Sequence, residues 1–417
     1  MLDDFRISII NDNYINWLDN FYECFDDTYY VKENAYKLNK DDIRKINDLK
    51  RQFLLLNEYS VKNGLNNSIN AYYLEYNEKV YCISYDGECY RCSVGNVREN
   101  VIRYKDLKKY VSCNMQNNFD LLEKRVIDSL NNTDLEYIRR ELSNIKDATV
   151  VSGVGGSSVV SNFTSKVIGK KNKVITTNAE PRNFIYNGYN GFKNVIACSY
   201  SGNNYGVDMS FNNDMNKYLL SNNYSKYNNV TNLVYNTNYG NEISFISLAS
   251  TLVPISVVLN YYLNGNNREV INSINKYNYD FDTRCNIYEI FTGYDTSTAS
   301  KYLESTMVES GIGIPIVHDK YDYCHGRSST CFNNNSNAIY YSRNTEFDKL
   351  MIEELNKYYN EVIVIESKYK DDILDDYNML IASMHLTKYI AEKKNIDLSD
   401  VKYCPIVKKL YKYKGKI

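Results

Sequence analysis

The chain of 417 residues is poor in proline (4), tryptophan (1) and histidine (3). It also lacks an excess of charge of either sign: 49 Lys and Arg stand against 51 Asp and Glu, a formal net charge of −2. Proteins built to coat nucleic acid carry a strong basic surplus, so this balance argues against that class. A long uninterrupted apolar run is missing too. The longest candidate, Phe245 to Leu263, contains several Ser and Thr and a central Pro254, which suits a buried helix rather than a bilayer span. The opening MLDDFRISIINDNY has neither a basic n-region nor a long apolar h-region, so no signal peptide is expected.

What is present in quantity is tyrosine. The hydrophobic share of 43% includes 43 tyrosines, and without them about a third of the chain is apolar, low but compatible with a globular fold. The length suits two to three domains and a sizeable core. Heavy use of Asn, Tyr, Ile and Lys beside scarce Pro and Trp reads as AT-rich coding bias, not as a functional signal. Asn-rich stretches such as Ser221 to Asn232 then read as surface loops rather than prion-like segments. Ten cysteines, at 24, 82, 89, 92, 113, 198, 285, 324, 331 and 404, are spread along a long chain and read as reduced thiols of a cytoplasmic protein.

Three textures divide the chain: residues 1–117, 118–280 and 281–417. The first combines a charged, helical-looking segment (Lys40 to Tyr59) with alternating tyrosine-rich runs at Ala71–Tyr76, Lys79–Tyr85 and Glu88–Ser93, which read as hairpin strands. It is an α+β region of unassigned role. Phe119 to Asp147 reads as helix, with Leu121, Leu122, Val126, Ile127 and Leu130 on one face and Thr133 as the N-cap of a second helix. From Ala148 short apolar runs alternate with helical segments. Strands are expected at 148–153, 172–177, 193–199 and 230–235, again at 286–293, 338–341 and 361–365, with a closing helix from about Asp376 to Lys394. This alternation predicts an α/β fold: two tandem three-layer units with mostly parallel sheets.

Two loops carry the chemistry. The strand at 148–153 delivers Gly153-Val154-Gly155-Gly156-Ser157-Ser158 to a helix, an arrangement that offers backbone amides and the positive end of a helix dipole to an anion. It matches neither the dinucleotide fingerprint nor the Walker loop. The third strand ends in Ser199-Tyr200-Ser201-Gly202-Asn203-Asn204, also ahead of a helix. In a doubly wound sheet, loops at the carboxyl ends of adjacent strands line one crevice.

GVGGSS followed by SYSGNN resembles the SIS, or sugar isomerase, domain family, whose motifs read roughly GxG[GT]S and S-x-S-G-x-T. Tyr200 stands where Gln is common and Asn204 where Thr is usual. The resemblance spans residues 120 to 417 and is of the double-SIS type, as in the isomerase half of glucosamine-6-phosphate synthase and the fructosamine-phosphate deglycases. It implies that Gly155, Gly156, Ser157, Ser199, Ser201 and Asn204 hold a substrate phosphate. It also points to Glu309, near the end of a helix from Ser297 to Ser310, and to His325 of Tyr323-Cys324-His325-Gly326-Arg327, at the spacing of the isomerising members. Glu309 would move the proton between C1 and C2, with Glu304 as its substitute, and His325 would open the sugar ring. His318 and His385 read as structural.

Lys408 and Lys409 are either contacts to the sugar, as the family's lysine near the chain end implies, or part of a solvated basic tail. Cys82, Cys89, Cys92 and Cys113 are either a four-thiolate zinc site or strand thiols facing a core, the second being the cheaper account. The expectation is a cytoplasmic homodimer that needs no cofactor or metal and binds neither nucleic acid nor membrane. It acts on a phosphorylated sugar or a sugar–amine adduct, as isomerase or deglycase. The alternative is a non-catalytic sugar-phosphate sensor, which needs the serine loops but not Glu309 or His325.

Overall fold

The computed structural model describes residues 6–10, 20–25, 28–31, 71–76, 79–85, 90–96, 119, 121–236, 246–332 and 335–398. The chain divides into two compact units, Met1–Asn117 with Tyr239–Asn241, and Asn118–Asn238 with Glu242–Ile417. In the first, strands β1 (Arg6–Ile10), β2 (Asn20–Phe25), β3 (Thr28–Val31), β4 (Ala71–Tyr76), β5 (Lys79–Tyr85) and β6 (Tyr90–Asn96) form an antiparallel sheet in the order β1-β4-β5-β6-β2-β3. The tyrosine-rich runs are β4, β5 and β6, which pair consecutively with Tyr76 opposite Lys79 and Tyr85 opposite Tyr90. The helical-looking segment Lys40–Tyr59 lies outside the described residues.

The second unit opens with helices α1 (Leu122–Asn132) and α2 (Leu135–Ser143). It continues through β7 (Thr149–Ser152), α3 (Gly156–Asn172), β8 (Thr176–Ala179), α4 (Asn183–Asn187), β9 (Asn194–Cys198), α5 (Tyr205–Ser210), β10 (Asn216–Ser221), β11 (Val230–Val234), α6 (Ala249–Tyr262) and α7 (Asn267–Asn272). Its five strands form a parallel sheet, β11-β10-β9-β7-β8. The plan then repeats: β12 (Ile287–Thr292), α8 (Ser297–Ser310), β13 (Ile314–Asp319), β14 (Ser336–Ser342), α9 (Glu346–Leu355), β15 (Val362–Glu366) and α10 (Asp372–Lys393) build a four-stranded parallel sheet, β13-β12-β14-β15. The α/β architecture is therefore the one that the alternating texture predicts.

Every residue of β7, β9 and β14 is buried, because helices cover both faces of each sheet. Successive side chains point to opposite faces. Val195 and Ala197 pack on Val207 and Phe211 at α5, while Cys198 turns to Thr164 of α3. In the second sheet, Phe291 and Tyr340 pack on Met351 and Leu355 of α9. Their chain neighbours Thr292 and Tyr341 bond Ser300 of α8 (2.9 Å) and Ser383 of α10 (2.6 Å) on the other side.

Local departures from the sequence reading have physical reasons. The N-cap of α2 is Asp134, whose carboxylate accepts the Tyr137 N–H at 3.0 Å; the Thr133 hydroxyl instead accepts the Asn236 N–H. The strand expected at 172–177 starts later, because α3 runs to Asn172 and ends on left-handed Lys173. Strands β10 and β13 were not expected. Helix α10 begins earlier than expected, with Asp371 accepting the amides of Ile373 and Leu374. The apolar run containing Pro254 is buried helix α6, and no described helix is long and apolar enough to cross a membrane.

The two halves of this unit meet on a buried charge. Lys166 Nζ of α3 lies 2.6 Å from Asp376 Oδ2 of α10, with the side chains 5% and 0% exposed. The other oxygen of Asp376 accepts the Ala299 N–H in the first turn of α8, at 3.1 Å, where that amide has no intrahelical partner and the helix dipole favours an anion. One turn earlier on α3, Asn162 Oδ1 accepts the hydroxyls of Ser297 (3.3 Å) and Thr298 (2.8 Å). A desolvated ion pair is tolerated only with such a complete set of partners. Lys166→Ala or Asp376→Ala alone is expected to cost about 3–5 kcal/mol in urea denaturation, whereas Lys166→Met with Asp376→Leu recovers most of the loss. Single-variant losses below about 1 kcal/mol would contradict this role for the pair.

His385 of α10 lies between Phe119 and Tyr277, at ring-centroid distances of 5.8 and 6.2 Å. Desolvation, reinforced by Lys388 and Lys276, pushes its pKa down to about 4. Between that value and about 6.5 the unfolded chain binds a proton that the folded chain refuses. Its stability contribution is thus complete above pH 6.5 and declines as the pH falls towards 4. Urea midpoints measured from pH 7.5 to 5 should fall less steeply in His385→Gln than in the parent protein.

Candidate functional site

Strands β7 and β9 are neighbours, with Val151 paired to Ile196 and Ser152 to Ala197, so the two serine–glycine loops leave the same carboxyl edge side by side. The first turns sharply into α3. A Cβ on Gly153 would come 2.2 Å from the Ser157 carbonyl oxygen, which excludes any side chain there. Gly155, at φ 58° and ψ −132°, takes a backbone conformation that side chains disfavour. Ser157, the second residue of α3, is half-buried at the mouth of this turn.

The second loop is organised by Ser199. Its buried hydroxyl oxygen accepts the Gly202 N–H at 3.2 Å and the Asn204 side-chain amide at 3.1 Å. Asn204 Oδ1 in turn accepts the Val207 N–H at 3.0 Å and caps α5. Asparagine at this position thus ties the loop together from both ends of its amide. Ser201 stands exposed. The loops abut: a Cβ on Gly206 would lie 3.0 Å from Val154 Cγ2.

A third wall was not legible in the sequence. Ser247 and Thr251, at the start of α6, press on the first turn of α3, since a Cβ on Gly156 would lie 2.7 Å from Ser247 Oγ and 3.3 Å from Thr251 Oγ1. Thr251 is fully buried and its hydroxyl has no hydrogen-bond partner. Only the spacing of small residues in Ser247-Leu248-Ala249-Ser250-Thr251 hints at such close packing.

Glu309 is the penultimate residue of α8 and accepts a 3.3 Å hydrogen bond from Ser305. Although much of the residue faces solvent, desolvation by the surrounding protein raises its pKa above the ordinary carboxylate value, against the opposing Ser305 bond. Glu304 is exposed on the same helix. His325 is exposed in the turn after β13, its amide donating to the Asp322 carbonyl at 2.9 Å. Glu309 precedes β13 and His325 follows it, so a strand rising roughly 16 Å lies between them. His318 is buried in β13, with Nε2 2.9 Å from Glu289 Oε2.

Lys408, Lys409, Cys89 and Cys113 lie outside the described residues. Cys82 and Cys92 fall in β5 and β6, where the register pairs them with Ser93 and Ile83.

No protein-family model matches the chain, and no curated protein matches it. Solved structures do. The C-terminal domain of glucosamine-fructose-6-phosphate aminotransferase from Francisella tularensis is similar with a TM-score of 0.55 at 13% identity, over 70% of this chain and 98% of that one. Tagatose-6-phosphate ketose/aldose isomerase from Escherichia coli gives 0.55 at 11% identity, over 70% and 97%. Glucosamine-6-phosphate deaminase from Thermotoga maritima gives 0.51 at 14%, over 68% and 97%. At these identities the likeness is one of fold, and the fold is that of the SIS-domain sugar isomerases.

The role of Ser199 in holding its loop is testable without a ligand. Ser199→Ala removes the acceptor shared by Gly202 and Asn204 and should destabilise the protein by about 1–3 kcal/mol. Amide hydrogen exchange confined to residues 199–207 should accelerate, and unchanged protection there would contradict the assignment.

Proposed function

We propose that this chain binds a phosphorylated sugar on the β7–α3 and β9–α5 loops and acts on it as an aldose–ketose isomerase or as a deglycase of a sugar–amine adduct. The observation that carries this reading is the convergence of two serine–glycine loops at adjoining strand ends. There the hydroxyls of Ser157, Ser199 and Ser201, the Asn204 amide and the backbone at Gly155 and Gly156 supply neutral donors, aided by the α3 dipole. Three oxygens of a phosphate suit such a ring.

Glu309 is read as the base because desolvation raises its carboxyl pKa and because α8, which carries it, packs on α3, which opens at the glycine turn: Asn162 of α3 meets Ser297 and Thr298 of α8.

In the proposed reaction the Glu309 carboxylate removes the C2 proton of an open-chain aldose, leaving an enediolate, and returns it to C1 while a proton passes from the C2 hydroxyl to O1, which gives the ketose. With a sugar–amine adduct the same proton transfer gives an enolamine. Its raised pKa brings the base closer to neutrality, where transfer is efficient. His325, on the far side of β13 from Glu309, would complete a site with a second copy of the chain, in a cytoplasmic homodimer. The same separation is what favours the alternative, a sensor that binds the sugar phosphate without turning it over.

Incubation in D2O with hexose and hexosamine phosphates, followed by NMR, distinguishes the two. The enzyme should incorporate deuterium at C1 or C2. Glu309→Gln should reduce this by at least about 100-fold while the sugar phosphate still raises the melting temperature. Ser157→Ala and Ser201→Ala should lose the melting-temperature shift first. The exchange rate should fall as acid protonates Glu309, with its midpoint above the ordinary carboxylate value of about 4.3. A melting-temperature shift without exchange for any sugar phosphate would establish the sensor instead.

A further inference from the structure

Glu289 sits in the middle of β12, fully buried, on the face where Phe291, Tyr323, Tyr340 and Tyr359 form an aromatic core. An apolar side chain would fill such a position without the desolvation cost of a carboxylate. The carboxylate is instead surrounded by donors. Oε2 receives the Tyr359 hydroxyl at 2.7 Å, His318 Nε2 at 2.9 Å and the Thr330 hydroxyl at 3.4 Å, and Oε1 receives Ser336 at 3.2 Å. Arg327 Nη1 approaches His318 Nδ1 at 3.4 Å and donates to the Val317 carbonyl at 2.9 Å. Arginine can only donate, which makes Nδ1 the acceptor and puts the imidazole proton on Nε2, facing Glu289. Burial and the bonds to Tyr323 and Glu289 hold the Tyr359 hydroxyl firmly protonated, so it donates to Glu289 while sharing a 2.7 Å bond with Tyr323.

Thr330, Arg327 and Tyr323 belong to the segment that follows β13, and they flank His325. His325 itself is exposed, with its amide held inside a local turn, and Gly326 takes φ 96°. Its course is therefore set by anchors at 323, 327 and 330, and all three lead to one buried carboxylate.

We propose that Glu289 is a positioning residue, which acts through His318, Arg327, Thr330 and Tyr359 to fix the segment that carries His325. The inference rests on the phosphosugar reading for its functional consequence, and its structural part stands on these bonds alone. Glu289→Gln keeps the shape but turns an NH2 group towards a set of donors. Arg327→Gln cuts the segment's tie to His318 from an exposed position, and serves if the buried variant does not fold.

Two readouts separate this proposal from the reading beneath it. The first is C1/C2 deuterium exchange in D2O with fructose 6-phosphate and glucosamine 6-phosphate. Either variant should lower kcat by about 10–100-fold with KM unchanged. Combined with His325→Ala, neither should slow the reaction further, since the two changes remove one function. Additive losses, or a rise in KM alone, would overturn the proposal. The second readout needs no activity: the alkylation rate of exposed Cys324, next to His325, followed by mass spectrometry. It should rise several-fold in both variants. If the parent protein exchanges no proton with either sugar, catalysis falls, yet faster Cys324 alkylation still supports the positioning role and an unchanged rate refutes it.

Discussion

The two halves of the second unit are joined through a buried ion pair. Lys166 and Asp376 take two charges out of water, and that cost is met only because Asp376 also accepts the Ala299 amide. One carboxylate thereby joins three helices: α3 from the first half, and α8 and α10 from the second. The stretch Ser297–Ala299 becomes the hinge on which the halves are set, with Asn162 fixing the second point. Replacing these polar contacts by hydrocarbon could match their energy. It would not fix the register of α3 against α8, which is where a charged pair has its use.

That register carries the functional argument. Helix α3 begins at the glycine turn and Glu309 is the penultimate residue of α8, so in the proposed reading their packing relates a carboxylate in the second half to a phosphate-binding turn in the first. Desolvation raises the carboxyl pKa of Glu309 although much of the residue faces solvent, while Ser199 and Asn204 hold the second serine–glycine loop in order. The second half contains a further buried carboxylate, Glu289. There a carboxylate inside an aromatic core ties down the polypeptide after β13. At both places an expensive buried carboxylate is used to specify geometry.

Much of this was legible in the sequence. Apolar runs ending in glycine at 148–153 and 286–293 mark β7 and β12, and the run around Pro254 reads correctly as a buried helix. Strand β10 escaped because it opens Asn216-Lys217-Tyr218 and has no apolar alternation until its last residues. Strand β13 escaped because Pro315 is its second residue, which is tolerated only because β13 lies at the edge of its sheet. Asp376 and Lys166 are 210 positions apart, and no local pattern links them. Glu289 looked like one polar residue in a strand. The serine loops were visible because a backbone turning tightly onto a helix leaves a glycine signature, whereas the wall formed by Ser247 and Thr251 leaves none.

The central claim is that one phosphorylated sugar bridges the glycine turn of α3 and the end of α8. A crystal structure of the protein soaked with fructose 6-phosphate tests it most directly. The account requires the phosphate on the loops at Gly155–Ser157 and Ser199–Asn204, with C1 and C2 of the sugar directed towards Glu309. A phosphate bound elsewhere, or a sugar extending away from α8, would contradict it.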